Sequence, residues 1–259
     1  MSVITLTTDL GLTDFYVSVI KGAIYNELPE AKIVDISHEI EPFNLLQAGF
    51  ILKNSYHSFP QKSVHIIGVD TEHDINTQPL AISANEHFFV GPDNGIFSLI
   101  FDKIPDEIVT MENVGQDTDI VTFPTKDLYV KGACHLLRGG ELSVLGNSVK
   151  SYRESKLMQP IAQPSLIQGN VLYVDRYGNV ITNVTRQLFN DTGKGRKFEV
   201  TFGRSDVIDQ VFDSYNAVPP GERLCLFSSS GYLEIAINKG NASGLLGFSV
   251  GDTIRIEFR

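Results

Sequence analysis

Apolar and polar positions in the first 150 residues alternate between two periods. Val3 to Thr8 (VITLTT) is a short β-branched run that stops at Asp9 and turns through Gly11, which reads as a strand. From Asp14 the period lengthens. Phe15, Val19, Ile20, Ala23, Ile24 and Leu28 recur at helical spacing until Pro29 ends them. AKIVDIS reads as a second strand, and Asn44 to Phe59 as a helix with Leu45, Gly49, Leu52 and Tyr56 along one face. SVHIIGVD is apolar enough for a strand buried on both faces. LAIS and HFFV follow as short strands, Asn94 and Gly95 begin a helical run through Ile100, EIVTM is another strand, and Lys126 to Leu137 is again helical. Alternation of this kind predicts a three-layer α/β domain, a mostly parallel sheet with helices on both faces.

The pattern changes after Lys150. QPIAQPS carries two prolines and little periodicity, which suits a linker. Beyond it helical signals almost vanish, and NVLYVD, NVITNV, KFEVTF, RLCLFS, YLEIAI and TIRIEF are short strands separated by Gly, Asn and Asp turns. That spacing predicts a small antiparallel barrel or sandwich. The expected organisation is an N-terminal α/β domain over 1–160 and a C-terminal β domain over 168–259, with the boundary at 160–168.

Composition narrows the function. The chain has 259 residues, 42% hydrophobic and 20% charged, an ordinary globular balance with room for two cores. Net charge is −10, from 31 acidic against 21 basic residues, and such a surface repels phosphate backbones, so no nucleic acid is expected as a partner. No run approaches about 18 apolar residues, so no membrane span is expected. MSVITLTTDLG has no basic n-region and no small-residue cleavage site, so no signal peptide is expected. Cys134 and Cys225 stand far apart, as in a reduced cytoplasmic protein.

In an open α/β sheet, ligands sit beyond the carboxyl ends of the strands. Three carboxylates occupy or approach that position: Asp9, Asp35 and Asp70. Asp9, in TTDLGLTD, is placed to accept two hydrogen bonds from a vicinal diol such as a ribose. The plainer reading, a helix N-cap or turn aspartate, stays open. GPDNG (Gly91 to Gly95) reads either as plain turn chemistry or as backbone lining a pocket. The six histidines lack metal-ligand spacing, so no metal site is expected. Neither G-x-G-x-x-G, a P-loop nor a G-x-S-x-G elbow occurs. In the second half, Asp175, Tyr177 and Asn179 in DRYGNVITN offer an acceptor, a stacking face and an amide, or else form an ordinary β-turn. SSSGYLEIAINKGNASG has small residues on both sides of a strand, suited to approach by a flat purine or to a simple hairpin.

Seven segments in order, TTDLGLTDFYVSVIKG, VDISHEIEPFNLLQAG, SVHIIGVD, GPDNG, TFPTKD, DRYGNVITN and SGYLEIAINKGNA, resemble the S-adenosylmethionine (SAM) hydroxide adenosyltransferases and their fluorinase and chlorinase relatives. The resemblance implies an α/β domain, a C-terminal antiparallel β-barrel, and a homotrimer that binds SAM between neighbouring subunits. It implies no cofactor, SAM being substrate or ligand. It puts Asp9 on the ribose diol, Phe43 against the ligand, and Phe123 and Thr125 beside the sulfonium and the incoming nucleophile. It puts Asp175, Tyr177 (where Phe is usual) and Asn179 around the methionine portion and adenine, Ser229 on methionine, and Asn241 and Ala242 at the adenine edge.

The implied reaction is attack on the 5′ carbon of SAM with departure of methionine. Sulfonium leaves readily, so the demand falls on the nucleophile: water, with a pKa near 15.7, must be polarised or deprotonated. The hydrolytic members resemble one another in an Asp-Arg-His triad that does this. Here Asp70 stands at the aspartate position, but Thr77 falls at the arginine position and Pro124 at the histidine position. Proline carries no proton and no donor. Three readings follow. The first is hydrolysis of SAM to adenosine and methionine, with His73 or Asp74 standing in beside Asp70. The second is a protein that binds SAM or adenosine without turnover. The third, ranked lowest, is a halogenase, disfavoured because Asp70 would repel a halide.

Overall fold

The structure is a computed structural model and describes residues 2–72, 77–115, 122–156, 158–202 and 206–259. The chain divides into two compact units, Met1–Lys156 and Leu157–Arg259. It is a mixed α/β protein with two sheets.

In the first unit the strands are β1 (Ile4–Thr8), β2 (Ile33–Ser37), β3 (Val64–Gly68), β4 (Pro79–Ala84), β5 (His87–Pro92) and β6 (Glu107–Thr110). Among the described residues they form one six-stranded sheet in the order β2-β1-β3-β5-β4-β6. β2, β1, β3 and β5 run parallel, and β4 runs antiparallel to both β5 and β6. The helices are α1 (Tyr16–Glu27), α2 (Leu45–Ser55), α3 (Ile96–Ile100), α4 (Val130–Leu137) and α5 (Leu142–Leu145). α1 packs on α4, and α2 on α3. Ile4 and Leu6 of β1, Val64 and Ile66 of β3, and Ile20 and Ile24 of α1 share one core cluster, all fully buried.

All five residues of β1 are buried, although three are threonines. A buried hydroxyl needs a partner. Thr5 Oγ1 lies 2.7 Å from His65 Nδ1, and Thr8 Oγ1 lies 2.7 Å from His38 Nδ1. Two of the strand's three buried hydroxyls are thus answered by imidazoles, from β3 and from the segment after β2, while Thr7 Oγ1 has no hydrogen-bond partner among the described residues.

The second unit contains β7 (Ile161–Gln163), β8 (Leu166–Val174), β9 (Val180–Thr185), β10 (Phe198–Phe202), β11 (Asp206–Ile208), β12 (Val211–Phe212), β13 (Arg223–Phe227), β14 (Tyr232–Ile237) and β15 (Thr253–Phe258). Among the described residues the path is β11-β10-β15-β8-β9-β14-β13-β12, with β7 beside β8. Every pairing is antiparallel except β12 with β13.

Two expectations need correction. The proline-marked segment 159–165 is not only a linker: Ile161–Gln163, between Pro160 and Pro164, pairs with β8 as an edge strand. Prolines flank that strand rather than interrupt it, as edge positions allow. The second unit also holds helices α6 (Arg186–Gly193) and α7 (Ala242–Leu246), where helical signals were faint. α6 buries little beyond Leu188 and Phe189, which pack on the core, so its period is hard to see. Phe189 meets Phe198, Phe227 and Phe258 edge-on. Its start is set by Thr185, whose Oγ1 accepts from Leu188 N at 3.1 Å. Thr185→Ala is expected to cost this unit about 1 kcal/mol, read as a lower denaturant midpoint, with Thr185→Ser close to the parent.

Among the described residues, no helix is long and apolar enough to cross a membrane.

Candidate functional site

The carboxyl ends of β1, β2 and β3 deliver three loops to one place in the first unit. Asp9 follows β1 directly. Its Oδ2 accepts from Phe43 N at 2.9 Å and from Asp70 N at 3.3 Å. Both donors sit in the left-handed region, Phe43 at φ 66° and Asp70 at φ 48°. That backbone is uncommon for residues with a Cβ and persists where the surroundings hold it. One carboxylate oxygen therefore fastens two unusual turns, while Oδ1 stays outside these two bonds. The turn reading and the ligand reading of Asp9 are compatible: the loop role uses one oxygen.

Asp70 is held from a second side. Asn94 Nδ2 donates to the carbonyls of Val69 (3.1 Å) and Asp70 (3.0 Å), and Asn94 Oδ1 accepts from Ile96 N at 3.2 Å. GPDNG thus braces the loop after β3, a role its spacing alone left open. Gly95 after it has φ 102°, and a Cβ there would meet the Ser155 side chain. Burial pushes the Asp70 carboxyl above its ordinary value, and the charges of Glu72 and Asp9 add to the shift. A carboxylate raised this way is a better proton acceptor than an exposed one.

Thr125 is buried and opens a π-helical turn, Thr125–Tyr129, with buried Pro124 as the preceding residue. Such turns recur at functional sites. A Cβ added at Gly68 would stand 2.9 Å from Thr125 Oγ1 and 3.1 Å from Thr8 Cγ2. The end of β3, Thr125 and Thr8 therefore converge on a space that only glycine leaves. Phe123 packs edge-on to Tyr16, with ring centroids 5.4 Å apart. Phe43 presents its ring to solvent, 67% exposed. His73 and Asp74, the stand-in groups, lie outside the described residues.

In the second unit, the turn between β8 and β9 is organised by Asp175. Its Oδ1 accepts from Tyr177 N (2.9 Å) and Asn179 N (2.8 Å), and its Oδ2 from Asn179 Nδ2 (2.9 Å). Asn179 is buried, and Tyr177 is 80% exposed. Asn241 joins this turn. A Cβ at Gly178, whose φ is 80°, would collide with the Asn241 amide, and Ser243 N donates to the Gly178 carbonyl at 2.8 Å. Asn241 Oδ1 also caps α7 by accepting from Gly244 N at 2.6 Å, and Ala242 is buried beneath it. Asp175, Tyr177, Asn179, Asn241 and Ala242 are thereby gathered. Ser229 stands in a separate turn, next to Ser228, whose hydroxyl reaches the Glu234 carboxyl, which also feels the charge of Asp175. β14 pairs Ile235 with Val180 and Tyr232 with Thr185, so the Ser229 turn lies beyond the Tyr232 end of the strand.

Two residues escaped the sequence reading. Asn94 was visible only as part of a turn motif. His38 sits in SHEIEPF, and its one available signal was a histidine directly after a strand. The cysteines carry no chemistry here. Burial pushes Cys134 up to about 11 and Cys225 up to about 12. Among the described residues, no group of three metal-ligating side chains comes together.

Comparison with known proteins covers both units. Residues 4–146 match the model of the SAM hydroxide adenosyltransferase N-terminal domain, and residues 169–255 that of the C-terminal domain. The chain is 31% identical to the (R)-S-adenosyl-L-methionine hydrolase of Methanocaldococcus jannaschii, covering 100% of this chain and 97% of that protein. It is 30% identical to the enzyme of the same name from Thermus thermophilus, covering 96% and 97%. A fluorinase from Actinopolyspora mzabensis is more distant, 20% identical over 98% of this chain and 96% of that one. The crystal structure of an uncharacterized conserved protein from Thermotoga maritima superposes with a TM-score of 0.90 at 32% identity, covering 98% of this chain and 99% of that one. With both domain models matched in order along one chain, the protein belongs to the SAM hydroxide adenosyltransferase family.

Proposed function

We propose that this protein hydrolyses SAM at the 5′ carbon, giving adenosine and L-methionine. The observation that carries the reading is the Asp9 knot, in which one carboxylate at the carboxyl end of β1 ties the loops bearing Phe43 and Asp70. Full-length relatives named as SAM hydrolases support it. Their name specifies the (R) configuration, so an assay should offer both sulfonium epimers.

In this reading Asp9 accepts from the ribose diol and Phe43 lies against the nucleoside. Phe123 and Thr125 border the sulfonium. Asp175, Tyr177, Asn179, Asn241 and Ala242 hold the methionine portion and adenine, and Ser229 adds a contact to methionine. The oxygen of water bonds to the 5′ carbon as the carbon–sulfur bond breaks. The bonding pair stays on sulfur and neutral methionine leaves. Asp70 orients the water and takes its proton, and its raised affinity for protons suits that task. His73 is the proposed second base in the same loop. Negative charge crowded at Asp70, Asp9 and Glu72 disfavours a halide in the same place.

The reading includes a two-domain layout, α/β over 1–160 and a curled antiparallel barrel over 168–259. It also includes a homotrimer in the cytoplasm with the site shared by neighbouring subunits. Phe43 and Tyr177 expose their rings, and in this reading those faces meet the ligand in the shared site.

Incubation of the pure protein with SAM, followed by chromatography for adenosine, tests the activity. Asp70→Asn is expected to lower turnover on the order of a hundredfold with SAM affinity nearly kept. Binding by calorimetry without adenosine above the no-enzyme control would favour the second reading, a SAM-binding protein without turnover. The observation favouring that reading is buried Pro124 at the position of the triad histidine.

A further inference from the structure

Beside the Asp9 knot lies a chain of polar side chains that the proposed reaction does not use. Thr8 Oγ1 is 2.7 Å from His38 Nδ1, and both residues are buried, Thr8 fully and His38 to 4%. His38 Nε2 is 3.1 Å from Asp35 Oδ1, close enough for electrostatic attraction but outside good hydrogen-bond alignment. Asp35 Oδ2 meets Lys21 Nζ at 2.6 Å. The Asp35 carboxyl titrates below its ordinary value: hydrogen bonds and charge from Lys21 and His38 outweigh the opposing effect of burial.

Carboxylate Asp35 can only accept, so in the neutral imidazole the proton on Nε2 faces Asp35 and a bare Nδ1 faces Thr8. The Thr8 hydroxyl then donates to His38, and its own oxygen remains free to accept from Leu10 N, 3.5 Å away. The His38 carbonyl accepts from Gly11 N at 2.8 Å. His38 therefore grips the turn on both sides of Asp9, through its side chain at Thr8 and through its backbone carbonyl at Gly11. Two buried polar residues thus brace the backbone on either side of Asp9.

We infer that His38 is a positioning residue for SAM binding, acting through Thr8 to hold the Asp9 carboxylate in its ligand-accepting orientation. This rests on the reading of Asp9 as the ribose aspartate. Thr8 turns its methyl, not its hydroxyl, toward Gly68, so His38 reaches the site by orientation and not by proton transfer.

The test measures SAM affinity by calorimetry, and KM and kcat where adenosine forms, on the full chain. His38→Leu is expected to weaken SAM binding about tenfold, the loss of one orienting hydrogen bond, with kcat unchanged. The grip on the ribose is the same in ground and transition states, so KM moves alone. His38→Asn, whose Oδ1 can replace Nδ1 as the acceptor for Thr8, is expected to restore most of the affinity. In a Thr8→Val background, His38→Leu is expected to add nothing, because the coupled bond is already gone. An unchanged affinity in His38→Leu overturns the inference, as does equal loss in the Leu and Asn variants or full additivity with Thr8→Val. Should His38→Leu fail to fold, Thr8→Val against Thr8→Ser reads the same bond: weakening in Val alone supports it, and no weakening overturns it. If Asp9→Ala leaves SAM binding intact, the ribose reading itself has failed. If Asp9→Ala abolishes binding and the His38 and Thr8 variants do not weaken it, only the positioning role has.

Discussion

Asp9→Ala is expected to remove SAM binding almost entirely, by a factor of about a hundred to ten thousand in affinity. The size follows from two charge-assisted hydrogen bonds to a diol, each contributing about 1.5–3 kcal/mol. The same substitution leaves the amides of Phe43 and Asp70 without their acceptor. Each lost bond costs about 1 kcal/mol, so a melting temperature lower by a few degrees is also expected. Asp9→Asn separates the effects. It keeps one oxygen for the two amides and loses the charge, so its melting temperature should stay near the parent while SAM affinity drops about tenfold. Calorimetry with SAM and a thermal melt on the same samples decide it. An Asp9→Ala protein that binds SAM like the parent would remove the ribose assignment.

The Asp9 knot also shows what a linear sequence reveals of such a site. Asp9 and Asp70 were legible because each follows an apolar strand in a βα pattern, and the rule that ligands gather at strand carboxyl ends points there directly. Their mutual arrangement was not legible. Asp9 reaches backbone amides 34 and 61 residues away, and nothing in the local pattern announces that. Asn94 and His38 were missed for the same reason, since their partners are carbonyls and hydroxyls brought near by the sheet.

The alternation of strands and helices in the first unit could be read because apolar runs there are long and buried, β3 completely so. In the second unit the strands were visible by their period of two. α6 was hidden because two adjacent, partly buried apolar side chains in eight residues give no repeat to read, and its clearest mark, the capping Thr185, also reads as the end of a strand. The edge strand between Pro160 and Pro164 was hidden because proline signals a break whether it interrupts a strand or flanks one. The Ser229 turn was assigned by motif order, and strand register puts it beyond the Tyr232 end of β14, with the Glu234 side chain between it and Asp175.

Acid should destabilise this fold well before ordinary carboxylates titrate, because two imidazoles are buried as neutral groups at the other end of the parallel strands. His65 is fully buried in β3, its Nδ1 at Thr5 and its Nε2 3.1 Å from His87 Nδ1. Tyr56 lies edge-on to both rings, and Phe89 stacks on His65 at 4.8 Å. Burial, then the nearby His87 and His57, hold His65 down at about 3, against an ordinary value of 6.5, and burial lowers His87 too. The unfolded chain therefore binds protons that the folded chain refuses. Stability from this pair is fully present above about pH 6.5 and is lost as pH falls below it, until His65 itself protonates near 3. One such proton changes stability by about 1.4 kcal/mol per pH unit, so His65 alone removes about 3 kcal/mol by pH 4.5. Asp70, Asp93 and Glu234, whose carboxyls are raised mainly by burial, act in the opposite sense and gain protons on folding, so the comparison of parent with a His65 variant isolates the histidine's share of the slope. His65→Gln, which keeps polar groups for Thr5 and His87, should be less stable than the parent at neutral pH, and its loss of stability on acidification should be shallower by up to one proton. Urea titrations at half-unit steps measure both slopes. Equal slopes in parent and variant would mean that His65 is protonated in the folded protein and that the imidazole cluster is not a neutral core.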